Sequence, residues 1–438
     1  MTILPTSKRI IQILKSSVNK SFFHLLILYL TSILGFGKFI LIAYFQEPSN
    51  FGKFASLIGI LTFIGSLISF GEIEQTVKKY PNYWITKDFQ LLEKSISDLL
   101  LLMLLRASII VALYFLYLIF FKETFDLLLV VSSLFIVFNQ SVNQLFTSLF
   151  RASADLSFFA YSQIIRTLVA IFIVTSAAIL FTWKELIIAE SISGIFIFGV
   201  YLIFIKRQFG FENQQFNFRF EINKTLFQSI FKVSNLSGLF LYLSTMVLSV
   251  PLYWDKFIIG KFKGYETVGI YSASFLIVQI GLLVNNVLSQ KAGPDFIKSQ
   301  INRKEKSLKR DLLKWIFIGF AMQIFVCILF FIAIISGLFE HYLPKYNIGL
   351  QIFVFAGILS LFQFNGLTEF FLISVNKEKK ILVSSIFYCI LFIIGYLFVG
   401  YLNLDLRYFY GAFVFSKICQ IGLHFYFIKS NKQSYAML

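Results

Sequence analysis

Cysteine, histidine and charge are what this sequence has least of. Three cysteines and three histidines occur among 438 residues, and 14% of side chains are charged against 58% that are hydrophobic. Ordinary soluble domains carry roughly 25% charged residues, so water is excluded as the main solvent. Cys327, Cys389 and Cys419 fall singly inside apolar stretches, which points away from disulfides and from a thiolate metal site. His24, His341 and His424 are equally scattered, which argues against zinc and against a histidine-based membrane enzyme. No cofactor is implied. Long polar segments are also missing. The stretches expected on the outer side are too short to hold an acceptor and the catalytic carboxylates that a membrane glycosyltransferase or polymerase needs.

What is present is a series of apolar runs, each near the roughly 20 residues that cross a hydrocarbon core. The first half reads as spans Ser21–Phe45, Phe54–Val77, Ile96–Phe121, Phe125–Phe150, Phe158–Thr182 and Leu186–Ile205. The second half reads as Leu236–Phe262, Val268–Leu288, Trp315–Phe339, Ile348–Val375, Ile381–Tyr401 and Tyr408–Ile428. The fold class is therefore all-α and polytopic, with about twelve transmembrane helices. Fifty-seven phenylalanines fit a compositional bias of the source genome and carry no functional weight.

Basic residues set the orientation, because short loops rich in them stay cytoplasmic. Few fall in the expected outer segments: Lys53, Lys122, Lys184, Lys261, Lys263, Lys345 and Arg407. Most of the 39 lie on the other side, so both termini are expected in the cytoplasm. The net charge of +17 then follows from topology and from contact with anionic lipids, and nucleic acid is not implied. The cluster Lys291 to Lys314 reads as a cytoplasmic helical extension anchored on the inner leaflet, with gathering of an anionic lipid substrate as the alternative. Lys8 to Lys20 reads as an interfacial helix leading into the first span.

An internal repeat organises the chain. Lys38-Phe39-Ile40 recurs as Lys256-Phe257-Ile258, and Phe51-Gly52-Lys53-Phe54 matches Val268-Gly269-Ile270-Tyr271 about half a chain later. Lys15 and Lys232 fit the same spacing. Two six-helix lobes follow, 1–205 and 225–438, joined by a cytoplasmic linker 206–224. An even span count gives both lobes one orientation, parallel around a central cavity. The repeat also places Lys256 at the depth of Lys38, inside the bilayer, and makes Pro251 a kink within a long helix.

Intramembrane charges usually face a cavity or a partner. Lys38, Arg106, Arg166, Lys256 and Lys417 are the basic candidates, and Glu72, Glu74, Glu190, Asp255 and Glu369 the acidic ones. Lys38 and Lys256 lead as cavity-lining cations; a fixed ion pair, such as Lys256 with Asp255, is the alternative. Arg106 and Arg166 are also within reach of the basic inner edge. Asn365 and Glu369 share a helix face, suited to interhelical hydrogen bonding, as are Gln363, Asn285 and Asn286.

Several ordered blocks resemble the oligosaccharide flippases of polysaccharide biosynthesis, which belong with the multidrug and toxin extrusion transporters and the lipid II flippases. Pro48 to Phe54 resembles the family's short outer turn ending in Phe-Gly. Gly71-Glu72-Ile73-Glu74-Gln75-Thr76-Val77-Lys78-Lys79-Tyr80 resembles its second-span ending. Asp255-Lys256-Phe257-Ile258-Ile259-Gly260, followed by Val268-Gly269-Ile270-Tyr271, resembles its Asp-basic pair, Gly, and Gly-x-Tyr. Tyr342 to Tyr346 and Leu372 to Lys377 resemble the turns on either side of span ten. Glu72, Glu74 and Asn376 depart from the pattern.

The resemblance implies a flippase that carries a polyprenyl-diphosphate-linked oligosaccharide to the outer leaflet of a bacterial inner membrane by alternating access, acting as a monomer. Lys38 and Lys256, with Arg106, Arg166 and Lys79, would meet the diphosphate. Asp255 or Glu369 would hold a coupling cation. A glycan polymerase is a candidate partner. The competing readings are a cation-coupled multidrug exporter of the same fold and a membrane-bound glycan polymerase or acyltransferase.

Overall fold

The computed structural model describes residues 27–28, 30–31, 33–35, 37–68, 72–120, 126–152, 156–211, 216, 236–279, 281–282, 285, 288–289, 292, 296, 305–346, 348–375 and 377–429. The expected interfacial helix at Lys8 to Lys20, the start of span one, most of linker 206–224, Asn286 and most of 291–304 lie outside them.

Every extended element among the described residues is helical, and eight helices are long and apolar enough to cross a membrane. The chain is an all-α polytopic membrane protein. Its most apolar span, within Lys309–Ile335, is also its least buried, with Phe317, Phe325 and Ile335 exposed. Hydrocarbon is the solvent that makes such a surface stable.

The N-terminal half holds α1 (Ile33–Phe45), α2 (Pro48–Leu67), α3 (Glu72–Ile85), α4 (Phe89–Phe120), α5 (Leu127–Ala152), α6 (Leu156–Leu180) and α7 (Trp183–Phe211). The C-terminal half holds α8 (Leu236–Tyr253), α9 (Asp255–Ser274), α10 (Glu305–Ile335), α11 (Leu338–Tyr342), α12 (Leu350–Leu361), α13 (Asn365–Ser374), α14 (Glu378–Tyr401) and α15 (Leu406–Lys429). One apolar core, including Phe51, Phe54, Phe146 and Phe150, serves the first half. Two others serve the second, around Tyr271 and Phe413 and around Leu367 and Phe371.

Several boundaries differ from the sequence reading for identifiable reasons. Pro48 to Phe54 is not a turn but the first turns of α2, because Pro48 sits at the helix start, where a missing N–H costs nothing. The second span ends by Leu67, and a separate helix, α3, carries Glu72 to Ile85. α4 begins at Phe89, before Ile96, where the Asp88 carboxylate accepts the Leu91 N–H at 3.3 Å. α7 continues to Phe211, beyond residue 205, and α10 begins at Glu305, ahead of Trp315.

Span seven is α8 plus the first part of α9. Trp254, between them, keeps a right-handed helical conformation and donates to the Val250 carbonyl at 2.9 Å, so the helical path continues past Pro251 without ending. It ends at Gly264, whose φ of 82° and ψ of 169° suit glycine, and the rest of α9 begins span eight. Span ten is broken in two. Phe362 to Phe364 form a tight turn, with the Gln363 side chain donating to the Leu359 carbonyl at 3.2 Å.

The halves meet where α2 crosses α9. A Cβ on Gly52 would overlap the Tyr265 carbonyl oxygen, and one on Gly269 would overlap that of Pro48. Pro48 and Gly52 correspond to Tyr265 and Gly269 in the repeat, so the contact is reciprocal. Around it Lys345 pairs with Glu47 at 2.8 Å, and the buried Tyr346 packs edge-on to Phe51. Burial pushes the Tyr346 phenol up, and the Glu47 carboxylate adds to the rise. On the loop after α13, burial and the Lys380 charge lower Lys377.

Candidate functional site

A cavity of about 520 Å³ opens between the halves, mostly against α1, α5, α6 and α7, with Leu252, Tyr253, Phe275 and Gln279 closing it from the other side. Its charged lining residues are Lys38, Arg166 and Glu190. Lys38 Nζ on α1 donates to both Glu190 oxygens on α7, at 2.9 and 3.0 Å. Their side chains retain 11% and 23% of their exposure, so each still reaches the cavity. Lys38 therefore both lines the cavity and has an ion-pair partner.

Arg166 on α6 donates to Gln163 Oε1, one turn earlier, at 3.2 Å. Among the described residues no carboxylate pairs with it, so the lining carries one positive charge in excess. Gln163 donates in turn to Thr147 on α5 at 3.3 Å. Asn139, Gln140 and Asn143 extend the amide-bearing wall along α5, and the Tyr201 hydroxyl donates to Asn143.

Lys256 lies one layer behind the wall. Its Nζ is 3.2 Å from Asp255 Oδ1 and sits 5.1 Å from the centre of the Phe275 ring, which does line the cavity. Asp255 is fully buried; it also accepts the Lys256 backbone N–H at 2.7 Å and the Tyr271 hydroxyl at 2.8 Å. Tyr271 contacts Tyr396 hydroxyl to hydroxyl at 3.1 Å. This network satisfies the carboxylate within the protein.

Arg106 and Lys79 are not brought to the cavity. Arg106, with 1% of its side chain exposed, donates to Glu72 at 2.7 and 3.1 Å and to the Ile68 carbonyl at 2.9 Å, which ties α4 to the break between α2 and α3. Glu72, one of the departures from the family pattern, is thus the counter-ion of Arg106. Lys79 is exposed on α3.

Glu369 belongs to a separate buried cluster in the C-terminal half. Asn365 donates to it at 2.9 Å from one turn earlier, and Lys417 interacts with it electrostatically. Lys417 Nζ also sits 4.9 Å from the centre of the Tyr388 ring. Beside them His424 joins Thr368 and Ser384, both at 2.7 Å.

Sequence reasoning passed over the α5 amides and the bridging role of His424. Asn139, Asn143 and Thr147 recur every fourth residue, a spacing that marks one helix face. Their lack of charge hid them in an apolar span.

A family model described as "Polysaccharide biosynthesis protein" matches residues 17–300. No curated protein matches the chain. Among solved structures, an inward-facing multidrug resistance MATE family transporter of the MOP superfamily aligns with a TM-score of 0.63 at 14% identity, covering 90% of this chain and 93% of its own. The outward-facing conformation of such a transporter gives 0.61 at 15% identity, covering 92% and 94%. A MATE structure in the straight conformation gives 0.58 at 14%, covering 93% and 94%. At these identities the likeness is one of fold.

Proposed function

This chain belongs to the polysaccharide biosynthesis protein family, and we propose that within it the chain is a flippase for a polyprenyl-diphosphate-linked oligosaccharide. The carrying observation is the excess positive charge of the cavity between the halves, from Lys38 and Arg166 against Glu190. A diphosphate and its glycan cannot cross hydrocarbon unaided. Charged donors in a hydrated cleft meet the phosphate oxygens, while the lipid tail stays in the membrane. Glu190 already holds Lys38, so an entering diphosphate exchanges with an internal carboxylate and its affinity stays moderate enough for release. Lys256 supports the wall through Phe275.

The two lobes, 1–205 and 225–438 with linker 206–224, belong to the same proposal, as does a bacterial inner-membrane location with cytoplasmic termini, argued from the basic residues. The Gly52–Gly269 crossing then lies at the outer end, and this conformation is shut outward. Alternating access opens that end after the inner one closes. An exporter of cationic drugs shares the fold of the MATE structures, but the sign of the cavity charge opposes such a cargo.

The test is surface glycan in cells that depend on this protein. Lys38→Gln combined with Arg166→Gln should abolish display while the variant remains in the membrane. Normal glycan in that double variant would sink the assignment.

A further inference from the structure

We infer that the amide wall is a sugar subsite, in which Asn139 and Asn143 on α5 with Gln163 on α6 take the hydroxyls of a neutral pyranose attached directly to the diphosphate. This rests on the function proposed above. A carboxamide in a membrane span is costly unless it is satisfied. Gln163 and Asn143 have protein partners through Thr147, Arg166 and Tyr201. Asn139 does not: its Nδ2 is buried and has no acceptor among the described residues. It stands against Gly194 on α7, where any Cβ would overlap that amide. Both residues line the cavity, and with no side chain at Gly194 the amide has room to turn toward it, where a ligand or water can take this donor.

The chemistry favours a sugar over more phosphate. Carboxamides are neutral and set a donor beside an acceptor, a match for adjacent ring hydroxyls rather than for an anion. Phe198 and Tyr253, also in the lining, supply aromatic faces for the apolar side of a pyranose. A volume of about 520 Å³ lies within the roughly 300–1,000 Å³ usual for small-molecule pockets. It holds the sugar nearest the lipid and leaves the rest of an oligosaccharide outside.

The experiment measures binding to the full-length protein in nanodiscs, by calorimetry, of two probes: citronellyl diphosphate and the same molecule bearing one N-acetylglucosamine. The wild type should bind the sugar-bearing probe roughly tenfold more tightly or better, as expected for one or two extra hydrogen bonds. Asn139→Leu should erase that gain and leave the affinity for citronellyl diphosphate in place. Gly194→Ala should do the same by crowding the amide, and alanine suits a helix. Lys38→Gln should weaken both probes. Equal binding of the two probes by the wild type, or a gain that survives in both wall variants, overturns the subsite alone. Failure of the wild type to bind either probe overturns the flippase reading with it.

Discussion

Arg106 and Glu72 show what a buried charge does when it is not for a substrate. Truncating one member of such a pair leaves the other uncompensated, at a cost of about 3–5 kcal/mol. Arg106→Ala should therefore lower both membrane abundance and thermal midpoint. Arg106→Met combined with Glu72→Met should recover most of the loss, because an apolar pair of similar volume replaces the ions. Export in the recovered protein then decides whether Arg106 meets cargo: normal surface glycan is the expected result. Glu190→Gln is the complementary case. It frees Lys38, so binding of citronellyl diphosphate should tighten, and unchanged affinity would mean that Glu190 does not compete. The sequence exposed these charges because ionisable groups in apolar runs are few. It hid their partners, since Lys38 and Glu190 stand 152 positions apart and Arg106 and Glu72 stand 34 apart. Pairing of that kind is a product of helix packing, and no local pattern encodes it.

Helices were the most legible level, and their interruptions the least. Runs of apolar residues announce a span, but α12 and α13 part at Phe362 to Phe364 without a proline. The Gln363 side chain, returning to a backbone carbonyl, marks that turn, and a lone glutamine is no breaker by itself. Pro251 was legible because its effect is covalent: it lacks the N–H that a helix interior uses. Gly264 closes the turn between spans seven and eight with backbone angles that other residues adopt only under strain, worth roughly 1–3 kcal/mol. Gly264→Ala should lower the stability of the purified protein by that order in a thermal-shift assay. Binding of citronellyl diphosphate at the distant cavity should persist.

For the whole molecule, the repeat gave the best sequence-level view of architecture, since Lys38 and Lys256, and Gly52 and Gly269, recur about half a chain apart, at spacings that differ by one residue. The crossing of α2 and α9 also offers a way to bias the conformation. Bulk at Gly52 or Gly269 must push the halves apart, so Gly52→Leu should disfavour this state. A short bismaleimide should link Glu47→Cys to Lys345→Cys, the sites of an ion pair at 2.8 Å, and the yield should fall when Gly52→Leu is added. Undiminished linking would show that the crossing does not hold that end shut. The same contact bears on origin. Each helix offers its glycine to the carbonyl of the residue four before the other's glycine, which is the geometry of one surface meeting its own copy across a two-fold axis. A half-length ancestor bearing one such helix would have had the contact ready in its homodimer, and gene fusion would have needed no new surface to keep the pair together.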